Sequence, residues 1–138
     1  MAAPVLLDTC AAIWLMGGEP LSSASRMAIR NARQANVGVY VSPFSAWEIG
    51  TLTAKGKIHL TLSSEVWFET LLSQPGVRLA ALTPKILLAS TTLPETPPND
   101  PANRIIAATA RTMGFTVVTR DGKLLEYARQ GHIRAVAC

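Results

Sequence analysis

The chain has 138 residues, 49% of them hydrophobic and only 16% charged, enough for one domain with a buried core; a disordered tail and a disulfide-stapled miniature are excluded. Thirteen Lys and Arg against nine Asp and Glu leave a charge of +4, a modest excess spread along the chain that tilts the search for partners towards something anionic. Cys10 and Cys138 make no metal-ligand spacing, the apolar opening run lacks a basic start and carries Asp8, and no stretch reaches the roughly 18 to 20 apolar residues of a membrane span. These features predict a reduced, soluble, cytoplasmic protein forming a single domain over residues 1–138, with no membrane contact.

Strands and helices alternate along the chain. Val5–Leu7 reads as a short buried parallel strand ending at a carboxylate that opens a helix. Ser22 to Ala35 is patterned as a helix, with Ala24, Met27, Ala28 and Ala32 set between Arg26, Arg30 and Arg33. Val37 to Val41 is a second strand, stopped by Ser42-Pro43, where the serine caps a helix and the proline takes its first turn. That helix runs to Lys55 before Gly56, and another starts at Ser63 or Ser64 and ends at Ser73. Val77 to Leu82 is a third strand, and Thr83-Pro84 starts a helix ending near Leu93. Pro94, Pro97 and Pro98 force an extended loop, after which Asp100-Pro101 opens a long helix closed by Gly114. Phe115 to Thr119, a helix from Lys123 to Gln130, and a last strand over Ile133 to Val136 complete the pattern. Such alternation implies an α/β fold with a mostly parallel sheet covered on both faces, whose site lies at the strands' C-terminal ends. Asp8 and Asp121 both fall there.

Acidic or amide side chains recur in four segments: Asp8, Glu48, Asp100 with Asn103, and Asp121. Carboxylates drawn together from separate segments repel one another, and a fold that gathers them usually does so around a hard divalent cation. Mg²⁺ or Mn²⁺ suits an oxygen-rich set better than zinc, because His59 and His132 lie apart from these positions.

The same residues carry a family resemblance. Asp8-Thr9 after an opening strand, Ser45-Ala46-Trp47-Glu48-Ile49, Lys55-Gly56-Lys57-Ile58, the run from Asp100 to Ala110, and Val118-Thr119-Arg120-Asp121 resemble PIN-domain ribonucleases, and more narrowly VapC toxins of toxin–antitoxin pairs. The resemblance implies a three-layer α/β/α fold with a parallel sheet of about five strands. It implies an Mg²⁺- or Mn²⁺-dependent endoribonuclease that cuts tRNA or ribosomal RNA and inhibits translation, forms a homodimer, and is neutralised in a heterooligomer by a VapB-type antitoxin. Asp8, Glu48, Asn103 and Asp121 become the catalytic and metal-binding positions. One departure stands out: where the family pattern places an aspartate directly before Arg-Ile-Ile-Ala-Ala, this chain has Asn103. Loss of a full charge implies weaker cation binding and reduced or absent cleavage.

Each residue also has a plainer reading. Asp8 and Asp100 are good helix caps, and position 103 sits in a first helical turn, where the macrodipole favours an acid or a phosphate oxygen. Thr9 and Thr119 can support the carboxylates or simply bond nearby backbone. Arg104 and Arg120 can contact phosphate or serve as surface and ion-paired residues. Trp14, Trp47 and Trp67 lie in apolar helical patterns that fit core or dimer anchors better than base platforms. Arg26, Arg30, Arg33, Lys55 and Lys57 form either an RNA track or solvated helix faces. Two alternatives to a nuclease remain: a PIN-like module that only binds RNA or antitoxin, and an aspartyl-phosphate phosphatase using Asp8. The second is weak because Cys10 stands where an acid would be needed for proton transfer.

Overall fold

The computed structural model describes residues 2–138. Five strands, β1 (Val5–Leu7), β2 (Val39–Val41), β3 (Val77–Leu79), β4 (Thr116–Thr119) and β5 (Arg134–Ala137), form one sheet in the order β3-β2-β1-β4-β5, every neighbouring pair parallel. Seven helices are interleaved: α1 (Thr9–Gly17), α2 (Ser23–Gln34), α3 (Pro43–Ala54), α4 (Ser64–Leu72), α5 (Pro84–Ser90), α6 (Pro101–Met113) and α7 (Gly122–Arg129).

The two-residue period of a strand explains the layers. Val5 and Leu7 of β1 join Val39, Val41 and Val118 on one face, beneath Ile29 and Ala32 of α2, Ile49 of α3 and Trp67 and Leu71 of α4. Leu6 and Val117 point the other way, onto Ile106 and Ala107 of α6 and Leu124 and Tyr127 of α7. Helices on both faces leave no water against the central strands, which accounts for their unbroken apolar character. The result is the expected three-layer α/β/α architecture.

The differences from the sequence reading are local. The second strand begins at Val39 rather than Val37, because Gly38 adopts φ 97° and a Cβ there would lie 2.7 Å from the Tyr40 ring. The third strand stops at Leu79, level with the end of its partner β2 at Val41; the Ala80 N–H makes the last bond, to Val41 O at 2.8 Å. Helix α5 ends at Ser90 instead of near Leu93, its last hydroxyls folding back onto the Leu87 and Leu88 carbonyls. The final strand is displaced by one residue, pairing Thr119 with Ala137.

The strand order also fixes where a site can form. From β1 the chain winds outward through β2 to β3, then crosses back to lay β4 on the other side of β1. The connections leaving β1 and β4 therefore diverge, opening a crevice beyond their C-terminal ends, the usual ligand position in an open parallel sheet.

Candidate active site

Asp8 follows β1 and Asp121 lies two residues beyond β4, so the switch-point crevice is bounded by two carboxylates. Both cap helices. Asp8 Oδ1 accepts from the Ala11 N–H at 2.7 Å, and Asp121 Oδ1 accepts from the Lys123 and Leu124 N–H groups at 2.8 and 3.0 Å. Asp100 caps α6 in the same way, its Oδ2 taking the Asn103 N–H at 3.1 Å. The N-termini of α1, α6 and α7 are thereby anchored by acids, and their partial positive charge offsets some of the repulsion among the carboxylates.

Thr119 ties the two strand-end acids together. Its hydroxyl donates to Asp8 Oδ2 and accepts the Asp121 N–H at 2.9 Å. A second threonine holds the acid from the neighbouring helix: Thr9 Oγ1 lies 2.5 Å from Glu48 Oε1 and 2.9 Å from Ser45 Oγ. Because a carboxylate only accepts, the Thr9 proton goes to Glu48 and the Ser45 hydroxyl donates to Thr9. Ser45, one turn before Glu48 on α3, is buried and supports the site without having been singled out in the sequence. Its signal was a small polar residue three positions before Glu48, a spacing that shares a face of α3.

Asp8, Thr9, Glu48, Asp100, Asn103, Arg120 and Asp121 line one cavity of about 410 Å³, with Cys10, Trp14 and Ile106. These last three were also missed, although Cys10 and Trp14 lie four residues apart on α1 and Ile106 three beyond Asn103, spacings that share a helix face. Arg120 reaches across the rim, donating from Nε to the Cys138 carbonyl at 2.6 Å and from Nη2 to Pro20 O at 3.3 Å, with its guanidinium carbon 3.8 Å from the centre of the Trp14 ring. Arg104 does not line the cavity; its guanidinium turns back onto the carbonyls of Ser90, Thr91 and Pro98. Of the tryptophans, Trp67 is core. Trp47 is 62% exposed and stacked on Phe44, so it is no core residue.

Burial raises the Asp8 carboxyl above its ordinary pKa; the Thr119 and Ala11 donors oppose this and the Asp121 charge adds to it. Asp8 is only 7% exposed, which explains why desolvation dominates. Glu48 is also raised, first by burial, against the Thr9 hydrogen bond, with the Asp100 and Asp8 charges contributing. The Cys10 thiol is pushed up by burial and then by Asp8 and Glu48. The acids sense one another electrostatically, yet among the described residues no three His, Cys, Asp or Glu side chains stand close enough to form a metal cluster by themselves. The acids instead wall an open, oxygen-rich crevice in which the Cys10 thiol is the one soft donor.

A parallel, doubly wound sheet with carboxylates from β1, α3, α6 and β4 meeting at its switch point defines a small acidic-crevice α/β domain. Residues 5–130 match the PIN domain family model. Over 122 residues, 87% of this chain and 88% of the other, the sequence is 34% identical to Ribonuclease VapC22 of Mycobacterium tuberculosis. Among solved structures, VapBC2 from Rickettsia felis bound to a DNA fragment from its promoter aligns with TM-score 0.67 at 14% identity, covering 96% of this chain and 97% of that one. DNA-bound VapBC from Salmonella typhimurium aligns with TM-score 0.65 at 18% identity, over 98% of each chain. The structural likenesses establish the fold, and the family match with the sequence relative establishes descent: the chain belongs to the PIN-domain family, in its VapC branch.

Proposed function

We propose that the protein is a VapC-type endoribonuclease toxin that hydrolyses phosphodiester bonds in structured RNA such as tRNA or rRNA and so inhibits translation. One observation carries the reading: Asp8, Glu48, Asp100, Asn103 and Asp121, drawn from four separate segments, line a single cavity at the switch point. The relative's ribonuclease name supports it. Solved VapBC structures of similar fold support a VapB-type antitoxin as the partner; within that heterooligomer the toxin is read as a homodimer.

The donor set fits Mg²⁺ or Mn²⁺. Its side chains offer oxygen, and a cation that dehydrates reluctantly and keeps several waters needs only one or two direct carboxylates, which matches acids that wall a crevice without closing into a cluster. Asp8, Glu48, Asp121 and the Asn103 position would hold the ion, which when bound supplies charge neutralisation at the scissile phosphate and a more acidic water. The rest belongs to the chain. Thr119 fixes Asp8 relative to the Asp121 backbone, Thr9 fixes Glu48, and Arg120 sets a cation on the cavity wall that draws phosphate to the acids. No side chain acts as a covalent nucleophile.

Asn103 lines the cavity where an acid is the family pattern, so this form is expected to bind its cation weakly and cleave slowly. The Asn103→Asp protein is expected to cut RNA with Mg²⁺ or Mn²⁺ and to arrest growth when expressed without an antitoxin. If it does neither, the nuclease reading fails, and the binding-module reading motivated by the same amide takes its place.

A further inference from the structure

The wall of acids has a second side. Asp100, Asn103 and Asp121, which line the first cavity, also border a second cavity of about 540 Å³. Its remaining walls are the segment Thr96 to Asn99 and, from α7 and its C-terminal end, Lys123, Glu126 and Gln130. We propose that this second cavity is the subsite for the nucleobase adjoining the scissile phosphodiester, read by the side-chain amides of Asn99 and Gln130. The proposal rests on the ribonuclease reading and goes further by naming where base preference arises.

Charge distinguishes the two cavities. The first cavity is lined by Asp8, Glu48, Asp100 and Asp121 with one arginine, whereas the second adds to the shared pair only Glu126, whose carboxylate already accepts from Arg129 Nε at 2.7 Å, and sets Lys123 opposite. A strand crossing from one cavity to the other leaves its phosphate at the acid wall and carries a neutral base into the less anionic space. Donor chemistry suits a base as well. Asn99 and Gln130 are exposed in the lining, and each amide offers two N–H donors and an acceptor, the complement of a base edge. Its size is that of a pocket for a small organic group.

The cavity wall is also rigid. The loop bearing Asn99 contains Pro94, Pro97 and Pro98, and it is clamped from two sides. Arg104 donates to the carbonyls of Ser90, Thr91 and Pro98, and the Tyr127 hydroxyl donates to Pro94 O at 2.8 Å. A loop fixed before the ligand arrives loses little entropy on binding, which a subsite that discriminates among bases requires. Arg104 thereby acquires a positioning role that its place beside Asn103 concealed.

The test has two arms. In the first, fluorescein-labelled hexamers of A, C, G and U are titrated in EDTA against the protein and its Asn99→Ala and Gln130→Ala variants. In the second, cut sites are mapped on tRNA, rRNA and a pool of stem-loop RNAs with randomised loops for Asn103→Asp alone and combined with each alanine. One base should be preferred beside the cut, and each alanine should shrink that preference by about five- to a hundredfold. The best-bound hexamer should weaken correspondingly, while the poorest changes less than about twofold. An unchanged preference, an equal loss for all four hexamers, or no hexamer binding overturns the subsite. If Asn103→Asp cuts RNA and both alanine variants keep its preference, only the subsite falls. If it cuts none, the ribonuclease reading falls, and the hexamers alone decide whether the cavity holds a base.

Discussion

The seven helices begin in two different ways. Four are capped by hydroxyl residues: Ser22, Ser42, Ser63 and Thr83 each accept an N–H of the first turn. The other three are capped by Asp8, Asp100 and Asp121, and all three aspartates line the same crevice. Ser and Asp cap about equally well, so capping does not require the charge. Three carboxylates concentrated at one end of the sheet therefore mark a chemistry beyond helix initiation, and Asp8 in particular is kept there although burial disfavours its ionised form.

The largest expected effect separates those two roles. Asparagine caps as well as aspartate, so Asp8→Asn with its amide oxygen towards Ala11 keeps that bond and removes the charge, while its NH2 replaces the oxygen that accepts from Thr119. Made in the Asn103→Asp protein, it should reduce RNA cleavage by about a hundred- to a thousandfold, the loss of several kcal/mol of charge stabilisation. Cleavage of a labelled RNA under single-turnover conditions gives the rate, and circular dichroism should report an intact fold. If the rate persists, Asp8 is a cap and nothing more.

A smaller loss is expected at the threonine joining the two strand-end acids. Thr119→Val preserves shape but leaves the Asp121 N–H without its acceptor and Asp8 Oδ2 without its donor. Cleavage should fall about 10- to 100-fold, as when a supporting hydrogen bond to a ligating group is lost. Stability should fall by about 1–3 kcal/mol for the polar groups left unpaired in the interior, measured by urea denaturation. A loss of stability without any loss of rate would assign Thr119 to the fold alone.

The aspartates were legible in the sequence because their signals are local: an apolar strand ending on an acid, or an acid before a proline, needs no knowledge of the tertiary structure. Glu48 was legible only through its motif, since nothing in the spacing of α3 distinguishes an inward glutamate from a solvated one. Arg104 shows the opposite limit. Its neighbour Asn103 lines the cavity, yet its own side chain turns to carbonyls at the end of α5 and in the proline loop, an arrangement created by the packing of α5 on α6. Trp47 follows the apolar pattern of α3 but projects outward, because its contact is with Phe44 one turn earlier and not with the sheet. The start of β2 was misjudged for a backbone reason, the positive φ of Gly38, which alternation of apolar residues cannot reveal.

The pH dependence of the metal-free protein should also divide the two kinds of helix start. Asp8 and Glu48 have folded-state pKa values raised above their ordinary 3.8 and 4.5, so in the window above those values the folded state binds more protons than the unfolded chain. Their contribution is present below the ordinary values and is lost as pH rises through the folded ones. In EDTA, these two groups should therefore make Tm fall as pH is raised from about 4 towards 7. Asp8→Asn should flatten that decline; the slope is the measure, because the bond from Thr119 that the variant loses shifts Tm at every pH. A steeper decline in the variant would mean that the Thr119 and Ala11 bonds outweigh burial.

The smallest effect is expected at a hydroxyl cap far from the crevice. Ser63 accepts the Val66 N–H at 3.2 Å and does not line the acid cavity. Ser63→Ala should cost about 1 kcal/mol of stability, the usual price of an N-cap, and Ser63→Asp should restore it, since an acid at a helix start also favours the macrodipole. In the Asn103→Asp protein neither change should alter the cleavage rate, because the charge added at Ser63, beside Glu65 in the same turn, lies outside the acid cavity. Asp8→Asn and Ser63→Asp thus exchange the same two features in opposite directions: one keeps a cap and removes a charge where charge is disfavoured, the other keeps a cap and adds a charge where it is free. If the rate follows only the first, it is the shared crevice, and not the aspartate cap, that carries the chemistry.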